Sequence, residues 1–251
     1  MTTPEHAGVP ETRVADFAAF VRPREGEDPP IIVGGHAVNL WSEYFLARDV
    51  KELLGYLPFT SKDLDLVGSL GLLDRLHKTH KGTLSRSGPR SPVLGRIDVE
   101  REGGGLLRVE VFHAVKGLDA TDLERTMEVG VGQVVARVLM PHLVLKAKIE
   151  NSESIPQEGR NDVKHVHMMI LCVRAFIREF AGYVGEGRAS DRALINVLEE
   201  TLAISTSRQA IRASELWGFD FTALWPVDGL KSLGEGKVSR WLQHRFPENP
   251  T

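Results

Sequence analysis

Asp63 and Asp65 are the residues whose types and spacing most directly suggest chemistry. They stand in Ser61-Lys62-Asp63-Leu64-Asp65-Leu66, an alternation that reads as a β-strand. Alternate residues of a strand share a face, so both carboxylates point one way while Leu64 and Leu66 point into a core. Two like charges on a half-apolar strand repel each other and lose hydration. A divalent cation with oxygen ligands relieves both costs. Glu110, on the later alternating segment Leu106–His113, is the candidate third carboxylate, with Asp98 on the preceding segment as its competitor. Either acid could instead pair with Arg96 or Arg108.

Upstream, Ile31-Ile32-Val33 runs into Gly34-Gly35 and then a helical pattern. Glycines let a backbone approach a ligand closely, and a helix N-terminus favours anions, so this turn is a candidate phosphate cradle. Downstream, Lys146, Lys148, Arg160, Asp162 and His165 cluster in a region of helical periodicity. Lys146 and Lys148 are two apart on a helix and face different ways, so one of them at most reaches a common site. Asp162 opens a long helix, where N-capping competes with a role beside the lysine.

The elements that must position these groups are readable from periodicity. Val14–Val21 reads as a short helix, His36–Leu46 as an amphipathic one, and 49–56 as a second short one. Leu70–His80 is helical, and 82–92, rich in Ser, Gly and Pro, reads as a flexible loop. Arg96–Arg101 and Leu106–His113 form a hairpin. Segments 118–125 and 131–138 are mixed in pattern. Leu143–Ile149 reads as helix and 151–159 as a polar loop. Asn161–Phe180, Asp191–Ile204, Ser207–Trp217 and a small terminal segment are helical. The expected fold is α+β: a small mixed sheet with flanking helices, then an α-helical C-terminal half. The expected organisation is a polar tail over 1–13, an α/β domain over 14–138 and a helical domain over 139–251.

A net charge of −3 excludes the global basic field of a dedicated nucleic-acid binder. Locally, 75–96 carries Arg75, Lys78, Lys81, Arg86, Arg90 and Arg96 with no acid after Asp74, and either contacts phosphates or is a solvated loop. One cysteine, Cys172, lies in an apolar run and reads as core packing. No apolar run approaches 18 residues and Met1–Arg13 has no hydrophobic core of a signal peptide, so no membrane contact and a cytoplasmic location are expected.

Taken together, Gly34-Gly35-His36-Ala37 followed by Ser61-Lys62-Asp63-Leu64-Asp65-Leu66 resembles the nucleotidyltransferase superfamily, and most closely its abortive-infection toxin (AbiEii-like) group. Pro141–Ile149, then Arg160-Asn161-Asp162, is similar to that group's second block, with Lys148 at its lysine and Asp162 at its aspartate. This chain departs from the pattern by having Glu110 as the third acid and His165 where a second aspartate often follows. The resemblance implies an NTP-dependent, Mg²⁺-dependent nucleotidyltransferase with a nucleotidyltransferase-type sheet. Asp63, Asp65 and Glu110 would hold two Mg²⁺ ions, which in two-metal sites stand roughly 3.5–4 Å apart. Gly34, Gly35, Ser61 and Lys148 would contact the nucleotide, and Asp162 would orient Lys148 or the acceptor. The implied acceptor is RNA, such as a tRNA 3′ end, and the implied partner an antitoxin; a small-molecule or protein acceptor is the alternative. Two rivals are a non-catalytic nucleotide- or partner-binding module of the same fold, and a hydrolytic metal site on His36, His113, His165 and His167.

Overall fold

The computed structural model describes residues 11–22, 29–101 and 104–246. Residues 1–10 of the tail expected over 1–13, residues 23–28 of the loop expected between 22 and 30, residues 102–103 and residues 247–251 lie outside them. A 3-10 turn, Val14–Phe17, leads into helix α1 (Ala18–Val21). Strand β1 (Ile31–Val33) runs straight into α2 (Gly34–Leu46), and a 3-10 segment, Lys51–Tyr56, precedes β2 (Asp63–Val67). Then come α3 (Leu70–His80), β3 (Thr83–Arg86), β4 (Val93–Glu100), β5 (Leu106–Phe112) and α4 (Ala120–Glu124). The hairpin β6 (Thr126–Val131) and β7 (Val134–Leu139) ends the sheet-forming part. The rest is helical: α5 (Pro141–Ser154), α6 (Asp162–Gly185), α7 (Asp191–Ser205), α8 (Arg208–Trp217), α9 (Val227–Lys231) and α10 (Lys237–Arg245). This is the expected α+β class with a helical C-terminal half.

The seven strands form one mixed sheet in the order β3-β4-β5-β2-β1-β7-β6. β2 pairs antiparallel with β1 and parallel with β5, while β1 pairs parallel with β7. Alternation divides the two faces. Leu64, Leu66, Ile97, Val109 and Val111 are fully buried on one, each contributing roughly 1.5–3 kcal/mol by leaving water. α3 packs there, its Leu73 against the Cα of Gly95. The opposite face carries Asp63, Asp65, Arg108, Glu110, Arg96 and Asp98.

Three local expectations are corrected. The stretch expected as a loop over 82–92 contains β3, an edge strand on β4; it is too short and too polar to show a hydrophobic period. The mixed segments around 118–138 resolve into α4 and a hairpin turning at Gly132, whose strand β6 is largely unburied and so lacks alternation. The expected polar loop 151–159 begins inside α5, which continues to Ser154.

α5 and α6 pack on each other, and α6 also packs on α2, so the helical half is tied to the sheet through the helix that follows Gly34. Trp41 on α2 donates its indole N–H to the Leu139 carbonyl at 2.9 Å, joining α2 to the end of β7. Buried side chains from Val14 to Leu242 form one continuous cluster. Cys172 lies within it, fully buried, with burial pushing its thiol up to about 12. Native protein is therefore expected to leave Cys172 unlabelled by a thiol reagent at pH 8, with stoichiometric labelling only in denaturant. Fast native labelling would contradict this packing. Among the described residues, no helix is long and apolar enough to cross a membrane.

Candidate functional site

The parallel register of β2 and β5 places Asp63 beside Arg108 and Asp65 beside Glu110. One carboxylate oxygen from each of Asp63, Asp65 and Glu110 lies within 4.8 Å of the others. Three hard oxygen donors at that separation suit Mg²⁺, Mn²⁺ or Ca²⁺. Burial, then the charges of Asp63 and Glu110, push the Asp65 carboxyl well above its ordinary range, while Lys148 and Arg160 pull it back. Asp98, the competitor for the third position, is taken by Arg108, whose Nε donates to it at 2.8 Å.

The glycine turn fits the same carboxylate. Gly34 has φ of +65°, a left-handed conformation, and a Cβ there would overlap Asp65 Oδ2. The Asp65 side chain thus occupies the space that any other residue's side chain would fill. At Gly35 a Cβ would collide with Ser61 Oγ and stand 3.4 Å from His165 Cε1. Gly34→Ala is expected to lower Tm by about 2–8 °C, from roughly 1–2 kcal/mol of backbone strain added to displacement of Asp65. It should also abolish the thermal shift with divalent metal. An unchanged metal response would show that the turn and the triad are independent.

Ser61 is held in place from the chain's first described residues. Thr12 and Ser61 exchange two backbone hydrogen bonds of 2.8 and 3.0 Å. Thr12 Oγ1 donates to the Ser61 carbonyl at 2.7 Å, so His36 Nε2, 3.2 Å away, is the donor to Thr12 Oγ1. His36 Nδ1 is then bare, and it has no partner. Burial, opposed by Asp16, lowers this imidazole to about 3, so His36 is a neutral strut beneath the turn. Thr12 was not legible as a site residue, and His36 was read only as a candidate metal ligand and not as this strut, because nothing local joins positions 12, 36 and 61.

Lys148 and Asp162 meet as anticipated. Lys148 Nζ donates to Asp162 Oδ1 at 2.8 Å, and Arg160 Nε donates to Oδ2 at 2.7 Å. Lys148 and Asp162 are both buried. Asn161 is the N-cap of α6, and Asp162, one position on, spends both oxygens on cations, so its role is pairing and not capping. Burial alone would raise its carboxyl, but Lys148 and then Arg160 hold it down at about 2. Lys146 turns to the other side of α5 and donates to Asp122 at 2.7 Å. Asp122 lines a separate cavity of about 340 Å³ whose other charges include the Arg125–Glu200 pair, 2.5 Å apart. His165 is buried, its imidazole lowered by burial and by Lys148, and its Nδ1 lacks a partner. His113 bonds the Ser91 carbonyl and His167 packs on Phe219, so the four histidines proposed as a hydrolytic site do not assemble into a metal-ligand cluster among the described residues.

The sheet therefore offers a carboxylate triad, the α2 turn offers close backbone approach, and α5–α6 offers a clamped cation whose field reaches Asp65. No family model matches the chain, and no curated protein matches it. Among solved structures, an antigenic nucleotidyltransferase-like protein from Paracoccidioides brasiliensis is similar, at 20% identity and a TM-score of 0.38. The match covers 56% of this chain and 66% of that one. At that overlap the likeness carries no weight for activity.

Proposed function

We propose that the protein is a metal-dependent nucleotidyltransferase, moving a nucleoside monophosphate from an NTP to an acceptor hydroxyl. The observation that carries this reading is the triad of Asp63, Asp65 and Glu110 on adjacent strands, with Asp65 seated against the Gly34 turn. Asp63, Asp65 and Glu110 would hold the metal, and Mg²⁺ is the ion of choice because carboxylate plus phosphate oxygens are its usual ligands. A bound divalent ion supplies charge neutralisation to the triphosphate.

The chain's own groups account for the remaining work. The N–H groups that open α2 and the Gly34-Gly35 turn, which lacks Cβ atoms, admit the β- and γ-phosphates, with Ser61 beside them. Lys148, held by Asp162, is a fixed cation that offsets phosphate charge without having to be ordered when the nucleotide arrives. Glu110 accepts the proton of the acceptor hydroxyl. The acceptor oxygen then forms its bond to the α-phosphorus while the bond to the bridging oxygen breaks, and pyrophosphate leaves with its electron pair. An RNA acceptor and an antitoxin partner rest on the sequence resemblance, and a cytoplasmic setting on the absence of a long apolar run in the sequence.

The test is incubation with each α-labelled NTP, Mg²⁺ and total RNA, comparing wild type with Asp65→Ala. Transfer by wild type alone is the expected result. Absence of transfer from every nucleotide, together with no thermal shift by Mg²⁺–NTP, would overturn it.

A further inference from the structure

Two registers across the sheet lay out the polar face as a chequerboard. Asp65, Glu110, Arg96 and Ser85 form one row across β2, β5, β4 and β3. Asp63, Arg108, Asp98 and Thr83 form the next. Two charges of the second row are committed to each other: Arg108 is buried and binds Asp98 through Nε at 2.8 Å and through a terminal nitrogen at 3.4 Å. Arg96 is different. Its nearest carboxylate is Asp98 at 3.6 Å, which Arg108 already occupies, and its own Nε is shielded from solvent without a hydrogen bond. Its side chain is one-third exposed, and beyond it Ser85 and Thr83 are open to solvent. α3, the helix that packs on β4, does so from the other face.

The placement of this arginine is directional. Lys148 and Arg160 act on Asp65, from the side of α5 and α6. Arg96 stands on the far side, one strand beyond Glu110. Neighbouring strands are about 4.8 Å apart, so a group facing Arg96 lies about one strand spacing from a hydroxyl facing Glu110. A hydroxyl and a phosphate on one ribose stand at a comparable separation.

We propose that Arg96 and the open face of β4–β3 form the acceptor subsite, binding a phosphate carried next to the hydroxyl that reacts at Glu110. This rests on the nucleotidyl-transfer reading of the triad. The acceptor is then an anionic, phosphate-bearing alcohol, either a nucleic-acid 3′ terminus or a phosphorylated small molecule. A guanidinium with unused donors makes a two-point contact with phosphate oxygens, which a lysine reproduces only as a point charge.

The experiment uses the full chain without metal and follows a fluorescein-labelled short single-stranded RNA by anisotropy over a salt series, in wild type, Arg96→Ala and Arg96→Lys. UMP and uridine serve as competitors. A parallel thermal melt with Mg²⁺–NTP monitors the nucleotide site. Arg96→Ala should weaken RNA binding about tenfold and reduce the salt slope by about 0.7, the loss of one single-strand phosphate contact. Arg96→Lys should restore the slope more than the affinity, and the Mg²⁺–NTP shift should be the same in all three proteins. Competition by UMP but not uridine supports a subsite that takes a single phosphate, and RNA binding indifferent to both supports one that takes a phosphate within a chain. Equal affinity and slope in wild type and Arg96→Ala, with the nucleotide shift intact, would overturn the acceptor subsite and leave nucleotidyl transfer standing. So would wild type that binds neither RNA nor UMP. Loss of the Mg²⁺–NTP shift in wild type would remove the reading beneath it, and the subsite with it.

Discussion

Asp65→Asn is expected to make the metal-free protein more stable and unable to transfer a nucleotide. The three carboxylates each offer an oxygen within 4.8 Å of the others, and the Asp65 carboxyl is raised by burial and by the charges of its two neighbours. Without a cation, that arrangement is an internal repulsion maintained on a strand whose other face is fully buried. An amide of the same shape keeps the contact with Gly34 and removes one charge. The expected gain is about 1–2 kcal/mol, or a rise in Tm of roughly 2–8 °C. Mg²⁺ should raise the melting temperature of wild type and leave the variant unchanged. Transfer should fall by at least about a thousandfold, because a group that neutralises transition-state charge has been lost. The pairing of higher stability with lost activity separates a functional cluster from a structural one. If Asp65→Asn instead melts lower than wild type, and Mg²⁺ still stabilises it, the carboxylates are held by something other than a metal requirement.

The second large effect is at Lys148. Lys148→Met should cost about 3 kcal/mol, the low end for breaking a buried ion pair, because Arg160 still holds the second oxygen of Asp162. For a chain of this size the corresponding drop in Tm is roughly 6–12 °C. The pH dependence follows from Asp162, whose carboxyl is held at about 2. A carboxyl lowered on folding contributes stability that is present above its unfolded value, near 3.9, and lost as pH falls through the folded one. The difference between wild type and Lys148→Met should therefore be full at neutral pH and narrow from about pH 4 toward pH 2. The double variant Lys148→Met/Asp162→Asn should recover much of the stability while leaving nucleotide binding weak. Constant destabilisation from pH 7 to pH 2 would show that Lys148 acts through packing of its stem and not through its charge.

Much of the fold was legible because its helices and its central strands carry strong periodic patterns. The long α6 and the β4–β5 hairpin appeared with their bounds within a few residues. The edge strands β3 and β6 did not, because an edge strand needs only one neighbour and little burial, so its sequence is free of alternation. The same holds for the site. Asp63, Asp65, Gly34 and Gly35 were legible from spacing within single segments. Thr12, and the part His36 plays through it, were not, since their link to Ser61 runs through hydrogen bonds between positions 12, 36 and 61.

What the chain determines locally is that Asp63 and Asp65 share a face opposite buried leucines, and that two glycines precede a helix. Those are consequences of two-residue alternation and of missing Cβ atoms. That Glu110 and not Asp98 joins them was decided only in three dimensions. The parallel pairing of β2 with β5 sets Asp65 level with Glu110, and a slip of one residue would have turned Glu110 into the core. Arg108 then claims Asp98, leaving Arg96 with donors to spare. Likewise the packing of α5 on α6, not the spacing of Lys146 and Lys148, chose which lysine reaches the site. Local physics set which residues face together within an element; register and helix packing set which elements face each other.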